Sequence, residues 1–162
     1  MAIDLDFGGT KAASGFAPIP EGTYDARVDE IEVKETKDKD GEKQVTSDGQ
    51  QARYLNVKYK IMGGDYDGRF VWGINSIRFP ASPVDDTEKE RQTREIFLSW
   101  LNTVSGTNFE DSKQSLDLNN LVGSNVKLVV IQDEYQGNIN NKVKRVMEPG
   151  DGDTLDAIRR TL

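Results

Sequence analysis

The chain has no cysteine and no histidine among its 162 residues. Without cysteine there is no disulfide, no thiol nucleophile and no thiolate-held zinc. Without histidine there is no imidazole base, so a hydrolytic triad is excluded. Long hydrophobic runs are missing as well. The longest, Leu128 to Ile131, falls far short of the roughly 20 residues of a membrane span, and Met1-Ala-Ile-Asp-Leu-Asp-Phe7 carries acids where a signal peptide carries bases. A soluble, cytoplasmic protein without membrane association is expected. Apolar residues make up only 35% of the chain. Six Phe, five Tyr, two Trp and several β-branched runs must therefore supply a thin, well-patterned core for one domain of ordinary size. What survives these exclusions is carboxylate or lysine chemistry, an oxygen-held cation, or binding without chemistry, and binding leads.

The formal charge is −7, which taken whole argues against a nucleic-acid partner, because phosphate repels an anion at long range. Divided along the chain it reads differently. Residues 53–79 carry +3 and residues 125–147 carry +2, while the acids fall elsewhere, most densely as −4 over residues 21–33. The two basic segments need not lie far apart after folding.

Residues 22–36 alternate as a half-buried strand with Tyr24, Ala26 and Val28 in one phase; Ile31 and Val33 are out of phase by one, which a β-bulge near Asp29-Glu30 repairs. Residues 37–51 are polar, with Gly41 and Gly49 as turn residues, and read as a long, mobile hairpin loop. Arg53 to Ile61 is the clearest strand: Leu55, Val57, Tyr59 and Ile61 form the buried set and Tyr54, Asn56, Lys58 and Lys60 face away. After the reversal Gly63 to Gly68, a third strand spans Arg69 to Phe79, with Phe70, Trp72 and Ile74 in one phase and Val71 in the other, so its faces stay ambiguous; Pro80 and Pro83 stop it. Thr87 to Glu90 fits a capping box, and Ile96, Phe97, Trp100, Leu101 and Val104 recur at helical spacing before Gly106, predicting a helix over 87–104. Strands over 126–131 and 139–147 follow.

Three strands, a helix and two strands are the order of the five-stranded OB barrel, an all-β fold whose helix lies between strands three and four and plugs one end. The long, bent first strand suits a closed barrel, since it serves both halves of the wall. A split β-sandwich explains the strands equally well but predicts no helix in that slot. The expected organisation is a flexible lead-in over 1–15, the OB-type domain over 16–147 and an acidic tail over 148–162.

In such a barrel the outer surface of strands two and three binds oligonucleotides. Here that surface offers Tyr54, Lys58 and Lys60, with Arg53 at the start of strand two, and Arg69 and Trp72 on strand three. Single-strand binding asks for this combination: bases stack on aromatic faces and cations follow the phosphates. Lys142, Lys144 and Arg145 extend the path if strand five closes the barrel beside strand one. Alternating lysines also keep an exposed sheet soluble, and Trp72 belongs either to the core or to a stacking platform. Phe97 and Trp100 belong to the core. Asp85-Asp86 and the Asp151/Asp153 pair read as a helix-start acid cluster and a turn rather than cation sites. Phe7-Gly-Gly-Thr-Lys11 lacks the spacing of a phosphate loop. Neither enzymatic chemistry, a cofactor nor a metal is expected. The rival from another class is a protein-binding accessory module or DNA-mimicking inhibitor acting through Asp25, Asp29, Glu30 and Glu32.

Pro18-Ile-Pro-Glu-Gly-Thr-Tyr24, Ile31-Glu-Val-Lys-Glu-Thr-Lys37, Tyr54-Leu-Asn-Val-Lys-Tyr59, Asp65-Tyr-Asp-Gly-Arg69 and Asn141-Lys-Val-Lys-Arg145 together resemble a bacteriophage family. Its members accompany replication and recombination genes and are regarded as OB-fold proteins that bind single-stranded DNA. The resemblance spans about residues 16–147. It implies coating of single strands during phage replication or recombination in the infected host, with phage or host replication and recombination proteins as further partners. Two departures stand out. The loop over 37–51 is longer than the family's, and the tail carries Arg159-Arg160 where a bacterial single-strand-binding protein has acids and a hydrophobic tip.

Overall fold

Alternation of apolar and polar side chains sets the strands, and the computed structural model, which describes residues 1–10, 17–113 and 115–150, places them in one sheet. The elements run β1 (Gly22–Glu35), β2 (Arg53–Ile61), β3 (Phe70–Ile77), α1 (Glu88–Ser105), β4 (Asn125–Tyr135) and β5 (Asn138–Met147). Residues 11–15 of the expected lead-in, and 151–162 of the expected tail with its Asp151/Asp153 pair, lie outside the described residues.

The sheet is antiparallel, in the order β3-β2-β1-β4-β5. β1 is long enough to serve two partners: Ala26 to Glu35 pair with β2, and Gly22 to Arg27 pair with β4. The register with β2 shifts between Val28 and Glu30, leaving Asp29 as the extra residue of a bulge where the alternation of the sequence slips by one. The mainly β architecture, with its helix between β3 and β4, follows the expected order.

The closed barrel does not form. β3 and β5 are the two edges of the sheet and no ladder joins them. β4, not β5, lies beside β1. At the seam an added Cβ on Gly73 would sit 3.2 Å from the Tyr59 ring and 3.4 Å from Cβ of Val143. β3 and β5 thus meet there through side-chain packing, Val143 against Gly73, rather than through a backbone ladder.

The core joins one face of the sheet to α1. Val28, Leu55, Val57, Tyr59, Ile61, Leu128 and Val130 are fully enclosed, and Trp100, Leu101 and Val104 cover them from the helix. Ile96, expected in the helical stripe, stays outside, because the sheet meets Phe97, Trp100, Leu101 and Val104, which repeat at three and four residues. Burial pushes the Tyr59 phenol up to about 12, so its neutral hydroxyl accepts the Trp100 Nε1–H at 3.0 Å. Ile19 plugs the sheet from the N-terminal side, and Asn141 of β5 both accepts from its N–H and donates to its carbonyl, each at 2.9 Å.

The helix begins as its caps dictate, with Thr87 and Glu90 exchanging reciprocal hydrogen bonds, and ends at Gly106 in the left-handed region (φ 69°). The segment 37–51, expected as a long, mobile hairpin loop, is a small hairpin with bridges Lys37–Lys43 and Val45–Gln51. It docks on the start of the helix: Ser47 Oγ donates to the Asp85 carbonyl at 2.7 Å, Ser47 N–H donates to Glu90 at 2.9 Å, and Asp48 accepts from Ala81 N–H at 3.1 Å.

Glu90 thus ties loop to helix. The Thr87 N–H foremost, and the Ser47 N–H with it, hold its carboxyl below its ordinary value of 4.5. A carboxylate depressed in the folded state stabilises the fold above its ordinary range, and that contribution is lost as pH falls through the folded-state value. The amide proton shifts of Ser47 and Thr87, followed by NMR, are expected to titrate together with a midpoint below 4.5; a midpoint at or above that value contradicts the tie.

Candidate nucleic-acid interface

On β2 the buried set Leu55, Val57, Tyr59 and Ile61 fixes the phase, so Tyr54, Asn56, Lys58 and Lys60 stand on the outer face. The phase of β3 resolves as well. Val71 and Gly73 point inward, while Phe70, Trp72 and Ile74 point out and are 39%, 49% and 69% exposed. Trp72 is a surface side chain, not part of the core. Tyr59 explains this, because its ring fills the space inside Gly73 and leaves no room for a large inward side chain there.

Strand register arranges the outer face in rows from β1 through β2 to β3. The first row is Arg27, Lys60 and Phe70; the second is Glu30, Lys58 and Trp72; the third is Glu32, Asn56 and Ile74; the fourth is Lys34, Tyr54 and Ser76. Phe70 and Trp72 lie with ring centroids 6.4 Å apart. The Lys58 ammonium sits 4.1 Å from the centre of the Phe70 ring and 3.8 Å from the Asp29 carboxylate. Arg27 and Lys60 are directly opposite each other, a like-charge pairing that costs energy unless an anion shares it.

The remaining expected residues are distributed as follows. Arg53 is in the phase of Leu55 and Val57, so it leaves the strand on the opposite side from Tyr54, Lys58 and Lys60. Arg69 donates through Nη2 to the Ala17 carbonyl at 2.5 Å and helps hold the segment before β1. Lys142, Lys144 and Arg145 lie on β5 and are exposed. Because Val143 meets Gly73 across the seam, β5 borders β3 there rather than β1. Lys144 is the extra residue of a second register shift, opposite Val129 and Val130. Arg27, Lys34, Phe70 and Ile74 join the face although the sequence reading did not assign them to it. The signal for Arg27 was the phase of Ala26 and Val28, for Lys34 that of Ile31 and Val33 beyond the bulge, and for Phe70 and Ile74 the small residue at 73 on β3.

Among the acids, Asp25 pairs with Lys127 at 3.5 Å, Glu32 with Lys34 at 3.8 Å, and Asp86 with Arg94 at 2.7 Å. Among the described residues no cluster of three or more acidic side chains is arranged to hold a metal ion, and no helix is long and apolar enough to cross a membrane.

No curated protein matches this chain. A family model described as "Protein of unknown function (DUF669)" matches residues 6–153, which is most of the chain, and the protein belongs to that family.

Proposed function

We propose that the outer face of β2 and β3 binds single-stranded DNA, without strong sequence preference, in an OB-type fold opened at the β3–β5 seam. The observation that carries the reading is the pair of exposed rings, Phe70 and Trp72, in the same rows as Lys60 and Lys58. A base has two apolar faces and a strand has one phosphate per nucleotide, so rings beside cations match it without reading base edges. Tyr54 lies four residues from Lys58 on the same strand, about 13 Å at the usual rise, far enough to engage a different nucleotide from Trp72. The resemblance of the strand and turn motifs to a bacteriophage family that accompanies replication and recombination genes supports reading this binding as a coating activity, not an enzymatic one, in the cytoplasm of an infected bacterium. The rival reading, an acidic surface that mimics DNA, is weakened because Asp25, Asp29 and Glu32 are each within 4 Å of a lysine.

The test is the anisotropy of a fluorescent oligo-dT at low and at moderate salt. Binding is expected at low salt, weakening as salt rises, and it is expected to fall sharply in the variant combining Tyr54→Ala, Lys58→Ala and Lys60→Ala. No binding at low salt, or binding that the triple variant leaves unchanged, rejects the reading.

A further inference from the structure

The outer row of β3 does not end at Trp72. Ile74, the next outward residue, forms one lip of a cleft of about 380 Å³ enclosed by β3, β5 and α1. Ile96 of α1, 70% exposed, lines the same cleft, and so does the buried Trp100, its indole held by the hydrogen bond to Tyr59. Two large aliphatic side chains on separate elements thus line one opening while facing solvent, where an inserted flat group gains by covering them.

The rest of the lining limits what that group can be. Asn75, Ser99 and Thr103 also line the cleft. The two hydroxyls already donate to the Glu95 and Ser99 carbonyls at 3.1 and 2.9 Å and Asn75 is hydrogen-bonded to Tyr59, so what they offer an occupant is chiefly acceptor oxygen, which matches the N–H groups on the edge of a base. Lys144 and Arg145 stand on the β5 side. Among the described residues no carboxylate lines the cleft, although the chain carries 28 acids against 21 bases. The lining therefore suits a ligand that is flat and apolar on its faces, polar at its edge and attached to an anion. A nucleotide has those properties, and the cleft opens where the stacking row runs out.

We infer that this cleft receives one unstacked nucleobase of the bound strand, with the adjoining phosphate against Lys144 and Arg145. The inference rests on the proposal that β2 and β3 bind single-stranded DNA, and it adds a pocket beyond their stacking face. The hydroxyls and the amide then meet the edge of one base in each bound segment, which gives an otherwise unselective surface a point of base preference.

The chain has two tryptophans, which makes the test direct. Trp72→Phe keeps a ring on the outer face and leaves Trp100 as the single indole reporter. Unlabelled oligo-dT is expected to quench Trp100 emission in step with the binding seen by anisotropy, and thymidine monophosphate is expected to quench it weakly. Adding Ser99→Phe, which fills the cleft from an exposed helix position, should abolish the quench and weaken strand binding about fivefold, the worth of roughly one stacked base. Thermal melting checks that this variant folds, and Thr103→Phe, one turn along, replaces it if it does not. Strand binding with unchanged Trp100 emission overturns the inference and leaves the β2–β3 reading standing. Quenching by the mononucleotide but not by the strand also overturns it. No strand binding at all rejects both.

Discussion

Replacing Phe70 and Trp72 together by alanine is expected to weaken oligo-dT binding on the order of 100-fold, since each stacked base contributes about 1–3 kcal/mol. Both rings are exposed, so the same variant should melt close to the parent chain, and the loss will read as binding rather than as unfolding. The salt dependence separates stacking from charge. The aromatic variant keeps the slope of log affinity against log salt, whereas Lys60→Ala lowers it by about 0.7, the increment for one phosphate on a single strand. Lys58→Ala should lower it by less, because Asp29 already shares that ammonium at 3.8 Å. An aromatic variant that binds as well as the parent would falsify the platform and turn attention to a protein partner for the same rings.

The second large effect concerns the seam. Gly73→Val is expected to destabilise the fold by about 1–3 kcal/mol, the usual cost of forcing extra carbon into a filled space, because even a single Cβ there meets the Tyr59 ring at 3.2 Å and Val143 at 3.4 Å. For a chain of this length that corresponds to a fall in melting temperature of roughly 3–10 °C by circular dichroism. Val143→Ala in the Gly73→Val background should recover part of the loss, a coupling that two sites out of contact would not show. An unchanged melting temperature for Gly73→Val contradicts the close packing of Tyr59, Gly73 and Val143 at the seam.

How much of this was legible in the sequence depends on where a side chain's neighbours come from. β2 could be read residue by residue because strict alternation is a property of the strand itself. The bulge at Asp29 was readable as a slip in the same period, and the helix through Thr87, Glu90 and Gly106, which act within one turn. The face of β3 was not, because the residue that decides it is Tyr59 on another strand, which excludes a side chain at 73 and sends Phe70 and Trp72 outward. The docking of the 37–51 hairpin was not legible for a similar reason: Ser47 and Asp48 are ordinary loop residues until Asp85, Glu90 and Ala81 are brought to them. At the candidate site, Tyr54, Lys58 and Lys60 followed from period alone. Arg27 and Lys34 needed the register with β1, and the place of β5 needed the sheet order.

The double pairing of β1 bears on how the chain is made. Its inner half pairs with residues 125–130, and the Ile19 plug is held by Asn141, so neither can form until most of the polypeptide has emerged from the ribosome. Until then Ala26 and Val28 lack part of their cover, and β1 presents an unpaired edge over the stretch that β4 later takes. Contacts this distant in sequence also close slowly. The acids at 25, 29, 30 and 32 outnumber Arg27 and Lys34 along β1, so the waiting strand carries like charge in every nascent copy and is disfavoured from pairing with its own kind.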